Sequence, residues 1–152
     1  MKPKRNADQP DANVKHDAAS AFLSRLGDSH TFQVIPESSN SKSHGKARII
    51  HGTFDACVKE LTRYNDKGYA VHIMVNAGDG KGRTEHNVVG IRAVFVDLDG
   101  APLEPVKSFE LQPHIVVETS SGRYHAYLLV DESVGLDDFR NFHTALIDTY
   151  KG

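Results

Sequence analysis

Gly90-Ile91-Arg92-Ala93-Val94-Phe95-Val96-Asp97-Leu98-Asp99-Gly100 is the stretch whose reading decides the fold. Its middle is apolar and β-branched, bounded by glycines and too short for a free-standing helix, so it reads as a buried strand. Side chains at i and i+2 of a strand share a face, roughly 6.5 Å apart. Asp97 and Asp99 are therefore expected to project side by side, with Val96 and Leu98 turned into the core. Two neighbouring carboxylates repel, and a cation between them relieves that repulsion. Gly100 lets the chain turn just beyond. The plainer alternative is a strand that runs into an Asp-Gly turn with both acids in water.

The surrounding sequence sets bounds. The chain has 152 residues, 39% hydrophobic and 25% charged, with a net charge of −2. That fits one ordinary globular domain and not a broadly basic nucleic-acid binder. Cys57 is the only cysteine, so neither a disulfide framework nor a cysteine zinc site is expected, which suits a cytoplasmic protein. No apolar run reaches the ~18 residues of a membrane span. Residues 1–15 are polar and read as a disordered tail, leaving 16–152 as the folded part.

Downstream of the acids, Ile115-Val116-Val117-Glu118-Thr119 and Arg123 to Val130 are two strands joined by Ser120-Ser121-Gly122, a hairpin signal. Arg123, His125 and Tyr127 share one face of the return strand. Phe139, Phe142, His143, Leu146, Ile147 and Tyr150 then mark an amphipathic helix. Upstream, helices are expected from His16 to Leu26 and after Thr53, a candidate N-cap, with Phe54, Cys57, Val58 and Leu61 on one face. Short strands are expected near Thr31–Ile35, Arg48–Thr53 and Tyr69–Val75. Asn76 to Arg83 holds three glycines with Lys81 and Arg83, and reads as a cationic hairpin connection. The sum is an α+β fold: a largely antiparallel sheet flanked by helices, with the acidic strand near its centre.

Asp-x-Asp beside a hairpin that carries a histidine and an arginine suits metal-dependent phosphoryl or nucleotidyl transfer. Carboxylate oxygens match Mg²⁺ or Mn²⁺. The basic side chains would hold a triphosphate, and Ser120, Ser121 and the N–H groups of the turn would add hydrogen bonds.

Val94-Phe95-Val96-Asp97-Leu98-Asp99-Gly100, followed by Pro113-His-Ile-Val-Val-Glu118-Thr-Ser-Ser-Gly-Arg-Tyr-His125-Ala-Tyr127, resembles the RepB-like primases of plasmids and phages, members of the archaeo-eukaryotic primase superfamily. Val75-Asn76, Gly80-Lys-Gly-Arg83, Asn87-Val88 and Arg92-Ala93 extend the resemblance, which covers roughly residues 19–150. It implies an RRM-like catalytic core that synthesises primers on single-stranded DNA from nucleoside triphosphates, alongside a replicative helicase. Asp97 and Asp99 would hold the metals, and His125 would contact the phosphates of the incoming nucleotide together with Ser120, Ser121 and Arg123. The family carries a third acidic residue on a later strand. Asp131 and Asp148 are the nearest candidates here, and neither lies in an apolar strand, so the catalytic core is expected to be incomplete.

Two other readings compete. One is a nucleic-acid- or nucleotide-binding replication domain that has lost catalysis. The other is a haloacid-dehalogenase-like phosphatase, with Asp97 as nucleophile and Asp99 as acid/base. That family needs a doubly wound parallel sheet after the motif, and little chain follows here.

Overall fold

The first helix shows how far the periodic stripes carry. The structure, a computed structural model, describes residues 12–37 and 45–151. Helix α1 (Ala12–Leu26) starts ahead of His16, so residues 12–15 of the expected tail are helical. Residues 1–11 of that tail, and 38–44 of a Ser/Asn/Lys-rich segment, lie outside the described residues. Leu23 and Leu26 are buried, and Gly27, at φ +135°, ends the helix. The amide of Gly27 donates to the Leu23 carbonyl, and its positive φ suits a residue without Cβ.

Strand β1 (His30–Pro36) lies between β2 (Arg48–Gly52) and β3 (Tyr69–Ile73), antiparallel to both. Helix α2 (Phe54–Asp66) joins β2 to β3. Thr53 caps it as expected, its hydroxyl accepting from the Ala56 amide. Cys57 and Leu61 point inward and meet Leu23, Phe32, Val34 and Tyr69. A two-stranded ribbon follows, β4 (Ala77–Gly78) against β5 (Val88–Gly90). The glycine-rich segment is the ribbon's connection, closed by the Asp79 carboxylate on the Lys81 amide and the Asn87 side chain.

The second half comprises β6 (Ala93–Asp97), the short helix α3 (Glu104–Ser108), β7 (Ile115–Ser120), β8 (Arg123–Leu129) and α4 (Phe139–Lys151). The strands form an antiparallel sheet in the order β6-β8-β7. The acidic strand is therefore at an edge, not near the centre as expected: the β7–β8 hairpin folds back so that β8 takes the middle. The edge is protected at its start. Asn76 Oδ1 accepts from the Arg92 and Ala93 amides at 2.9 and 3.1 Å, and α4 packs along the strand. Val94, Val96, Leu98, Ala126 and Leu128 face α3 and α4, meeting Val106, Leu146 and Tyr150. The opposite face brings Phe95, Tyr127, Ile115 and Val117 onto Phe22 and Leu26 of α1 and onto Ile73 and Val75. The chain is thus α+β, antiparallel strands flanked by helices, as expected of an RRM-like core. No helix among the described residues is long and apolar enough to cross a membrane.

Two stability predictions arise from this packing. Asn76→Ala strands two backbone N–H groups, the part-buried one of Arg92 and the buried one of Ala93, and urea unfolding should show a loss of about 1–3 kcal/mol. His30 is buried beside Arg92, and burial first, then the Arg92 charge, hold its pKa below 6.5. Below pH 6.5 the unfolded chain binds the proton and the folded chain resists it. Stability should therefore fall as pH drops from 6.5 toward the lower folded value. The urea midpoint should decline less in His30→Gln than in the parent between about pH 7.5 and about pH 5.

Candidate active site

The site grows out of the end of β6. Alternation places Phe95 and Asp97 on the face that carries Tyr127 and His125, because their register partners on β8 are Tyr127 for Phe95 and His125 for Asp97. Pairing persists one step past the strand, where the Leu98 amide donates to the Tyr124 carbonyl at 2.9 Å. Then the chain turns. Asp99 has φ +32° and Gly100 φ +89°, the left-handed region that Asp and Asn tolerate better than other residues with a Cβ. The Asp99 amide donates to Asp97 Oδ1 at 2.9 Å, closing an Asx turn. The two acids are thus not side by side on a strand, as expected. Asp97 ends the strand and Asp99 projects from the turn, while Leu98 between them stays buried.

Each acid faces a base. His125 Nε2 lies 3.5 Å from Asp97 Oδ2, and Arg123 Nη1 lies 3.1 Å from Asp99 Oδ1. The alternating face read for β8 is the one that meets the acids. The Arg123 guanidinium gives Asp99 a relief of carboxylate repulsion other than a bound cation. Asp97 and Asp99 are 61% and 71% exposed, so each pair is worth only about 0–1 kcal/mol. Their arrangement is a question of chemistry more than of stability. Behind them, the Tyr127 hydroxyl sits 3.2 Å from His125 Nδ1. Burial, with a smaller contribution from the Asp97 charge, pushes the Tyr127 phenol up to about 12.

The hairpin turn brings Ser120 and Ser121 to the same end of the sheet, since Ser120 is opposite Arg123. Both are exposed. The turn's amides are less available than expected, because the Gly122 N–H already donates to Glu118 Oε1 at 3.1 Å. Asp131, the nearest expected third acid, does not join. It lies beyond the far end of the seven-residue β8, roughly 20 Å from the Arg123 end, and its carboxylate is bonded to Ser133. Asp148 belongs to α4, which covers the opposite face of the sheet.

A groove of about 830 Å³ opens beside His125, walled by Phe95, Tyr127 and Phe139, with His72, Arg83 and Thr119 at its margins. The groove was not anticipated. Two signals placed aromatic rings on the acids' face: Phe95 alternates with Asp97, and Tyr127 alternates with His125. Arg83, read as part of a cationic hairpin connection, donates to Gln33 Oε1 at 3.2 Å.

The donor set suits a hard divalent cation: two exposed carboxylates, of which Asp97 Oδ1 is shared with the Asp99 amide. Among the described residues no group of three or more His, Cys, Asp or Glu side chains could hold a metal ion. A cation here would keep most of its coordination as water. The phosphatase alternative needs its aspartate at the end of a strand in a parallel sheet, and β6 pairs antiparallel at an edge. No family model, curated protein or solved structure matches this chain.

Proposed function

We propose that the chain is a metal-dependent nucleotidyltransferase of the RepB-like primase kind, making primers on single-stranded DNA in plasmid or phage replication in the cytoplasm, alongside a replicative helicase. The observation that carries this reading is the pairing of Asp97 with His125 and of Asp99 with Arg123, with His125 also lining the groove that Phe95, Tyr127 and Phe139 border. A triphosphate brings its own negative charge and its own base. The two basic side chains would leave the carboxylates for phosphate oxygens, and the groove would take the apolar part of the nucleotide.

In the reaction a 3′-hydroxyl oxygen bonds to the α-phosphorus, the α–β bridging bond breaks, pyrophosphate leaves, and the hydroxyl proton passes to solvent. Bound at Asp97 and Asp99, Mg²⁺ or Mn²⁺ would lower the cost of charge on the attacking and leaving oxygens. Arg123 would place two N–H groups on phosphate oxygens, and His125 one from Nε2. Ser120 and Ser121 would close around the outer phosphates from the hairpin turn.

The test is incorporation of labelled nucleotides, ribo and deoxy in separate reactions, on single-stranded DNA with Mn²⁺. Elongated product that depends on template and cation supports the reading. Binding of nucleotide or single-stranded DNA with no product supports the second one, a replication accessory domain, which the absence of a three-ligand group among the described residues favours.

A further inference from the structure

We propose that Tyr127 is a positioning residue for His125: its hydroxyl donates to Nδ1 and keeps the proton of the neutral imidazole on Nε2, facing Asp97. The two ring nitrogens of His125 look at different partners, the Tyr127 oxygen at 3.2 Å and Asp97 Oδ2 at 3.5 Å. A carboxylate oxygen accepts and does not donate, so the nitrogen turned to it is the one favoured to carry the hydrogen. A neutral imidazole then has one acceptor left, Nδ1, and a phenol is able to donate to it.

Packing holds the phenol in place. Tyr127 is 5% exposed, and its ring is lodged against Phe22 and Phe95, with centroids 5.2 and 5.7 Å away. A buried hydroxyl that loses its partner forfeits its solvation without return. Tyr127 also stays protonated through neutral pH, because burial and the Asp97 charge oppose ionisation. The order Tyr127 O–H, His125 Nδ1, Nε2–H, Asp97 Oδ2 sets a donor against an acceptor at each step, at hydrogen-bond distance for Tyr127 and His125 and as a longer polar contact for His125 and Asp97. The reverse tautomer would set a bare nitrogen lone pair against a carboxylate.

The consequence is a histidine that presents one N–H to an anionic oxygen without having to be charged. That this oxygen belongs to a nucleotide phosphate rests on the reading above; the tautomer itself does not. Long-range ¹H–¹⁵N spectra of labelled protein, with His125 assigned by loss of its signals in His125→Gln, decide the matter without turnover. At a pH where His125 is neutral, Nε2 should be the protonated nitrogen, and Nδ1 should be displaced from the position of a free acceptor. Tyr127→Phe keeps the ring packing, so its melting temperature should stay close to the parent's, while Nδ1 returns to the free-acceptor position. A neutral parent His125 protonated on Nδ1 would overturn the proposal whatever the variants do. So would His125 nitrogens that do not move in folded Tyr127→Phe. The expected tautomer in a protein that binds no nucleotide would refute the nucleotidyl-transfer reading alone.

Discussion

Replacing Asp97 by Asn should abolish template-directed nucleotide incorporation, by roughly a hundredfold or more, and leave the fold in place. The size is that of removing one preorganised group that stabilises charge at the reacting centre. The fold survives because of where the side chain stands. Asp97 is 61% exposed, and the structural bond it makes, accepting from the Asp99 amide through Oδ1 at 2.9 Å, is one that an amide oxygen can also accept. Asp99→Asn should behave alike, since Asn also tolerates the left-handed backbone that Asp99 adopts at φ +32°. The double variant should be little worse than either single one, because groups that act on one reacting centre are not additive. Millimolar Mn²⁺ should raise the melting temperature of the parent, as a ligand of the native state does, and should fail to raise that of the double variant. A double variant that still incorporates nucleotide, or one that keeps the cation response, would remove these two acids from the chemistry.

Much of this geometry could be read from the chain, and the parts that could not share a physical origin. Strict alternation carried the β8 face correctly: Arg123 and His125 do meet the acids, because a period of two is a local property of an extended backbone. The same rule misled at Asp99, since it holds only while the strand lasts, and Asp97 ends it. Asp-Gly was the warning, a pair that favours turns with positive φ. The edge position of β6 was invisible because pairing order depends on partners distant in sequence, and no local pattern encodes it. Helix α3 was hidden by Pro102 and Pro105. Yet Pro105 stands in the helix's first turn, where its missing N–H costs nothing, and Val106 is fully buried. The helical stripe from Phe139 to Tyr150 was legible but too broad. Leu146 and Tyr150 are buried, whereas Phe142 is 51% exposed, because spacing defines a face but not how wide a stripe the sheet covers.

Leu98→Ala should be the most damaging single change to stability near the site, at about 2–5 kcal/mol in urea unfolding. Leu98 is 2% exposed and belongs to the core formed with Val94, Val96, Val106, Leu146 and Tyr150. Truncation removes buried methyl groups and leaves a void that α3 and α4 cannot close without shifting. Leu98→Met keeps most of the volume and should cost less than about 1.5 kcal/mol. Phe142→Ala supplies the contrast, since a half-exposed ring outside that core should change stability by no more than roughly 0.5 kcal/mol. The effect on function should exceed the effect on folding. Leu98 is the residue between the two acids, and its buried side chain, with its amide on the Tyr124 carbonyl, anchors the turn from which Asp99 projects. Releasing that anchor frees the turn while Asp97 stays on the strand, so the spacing of the two carboxylates is no longer held. At a temperature where Leu98→Ala is still fully folded by circular dichroism, its cation-induced rise in melting temperature should be smaller than the parent's. A folded Leu98→Ala protein with an undiminished cation response would show that the acids hold their places without the core beneath them.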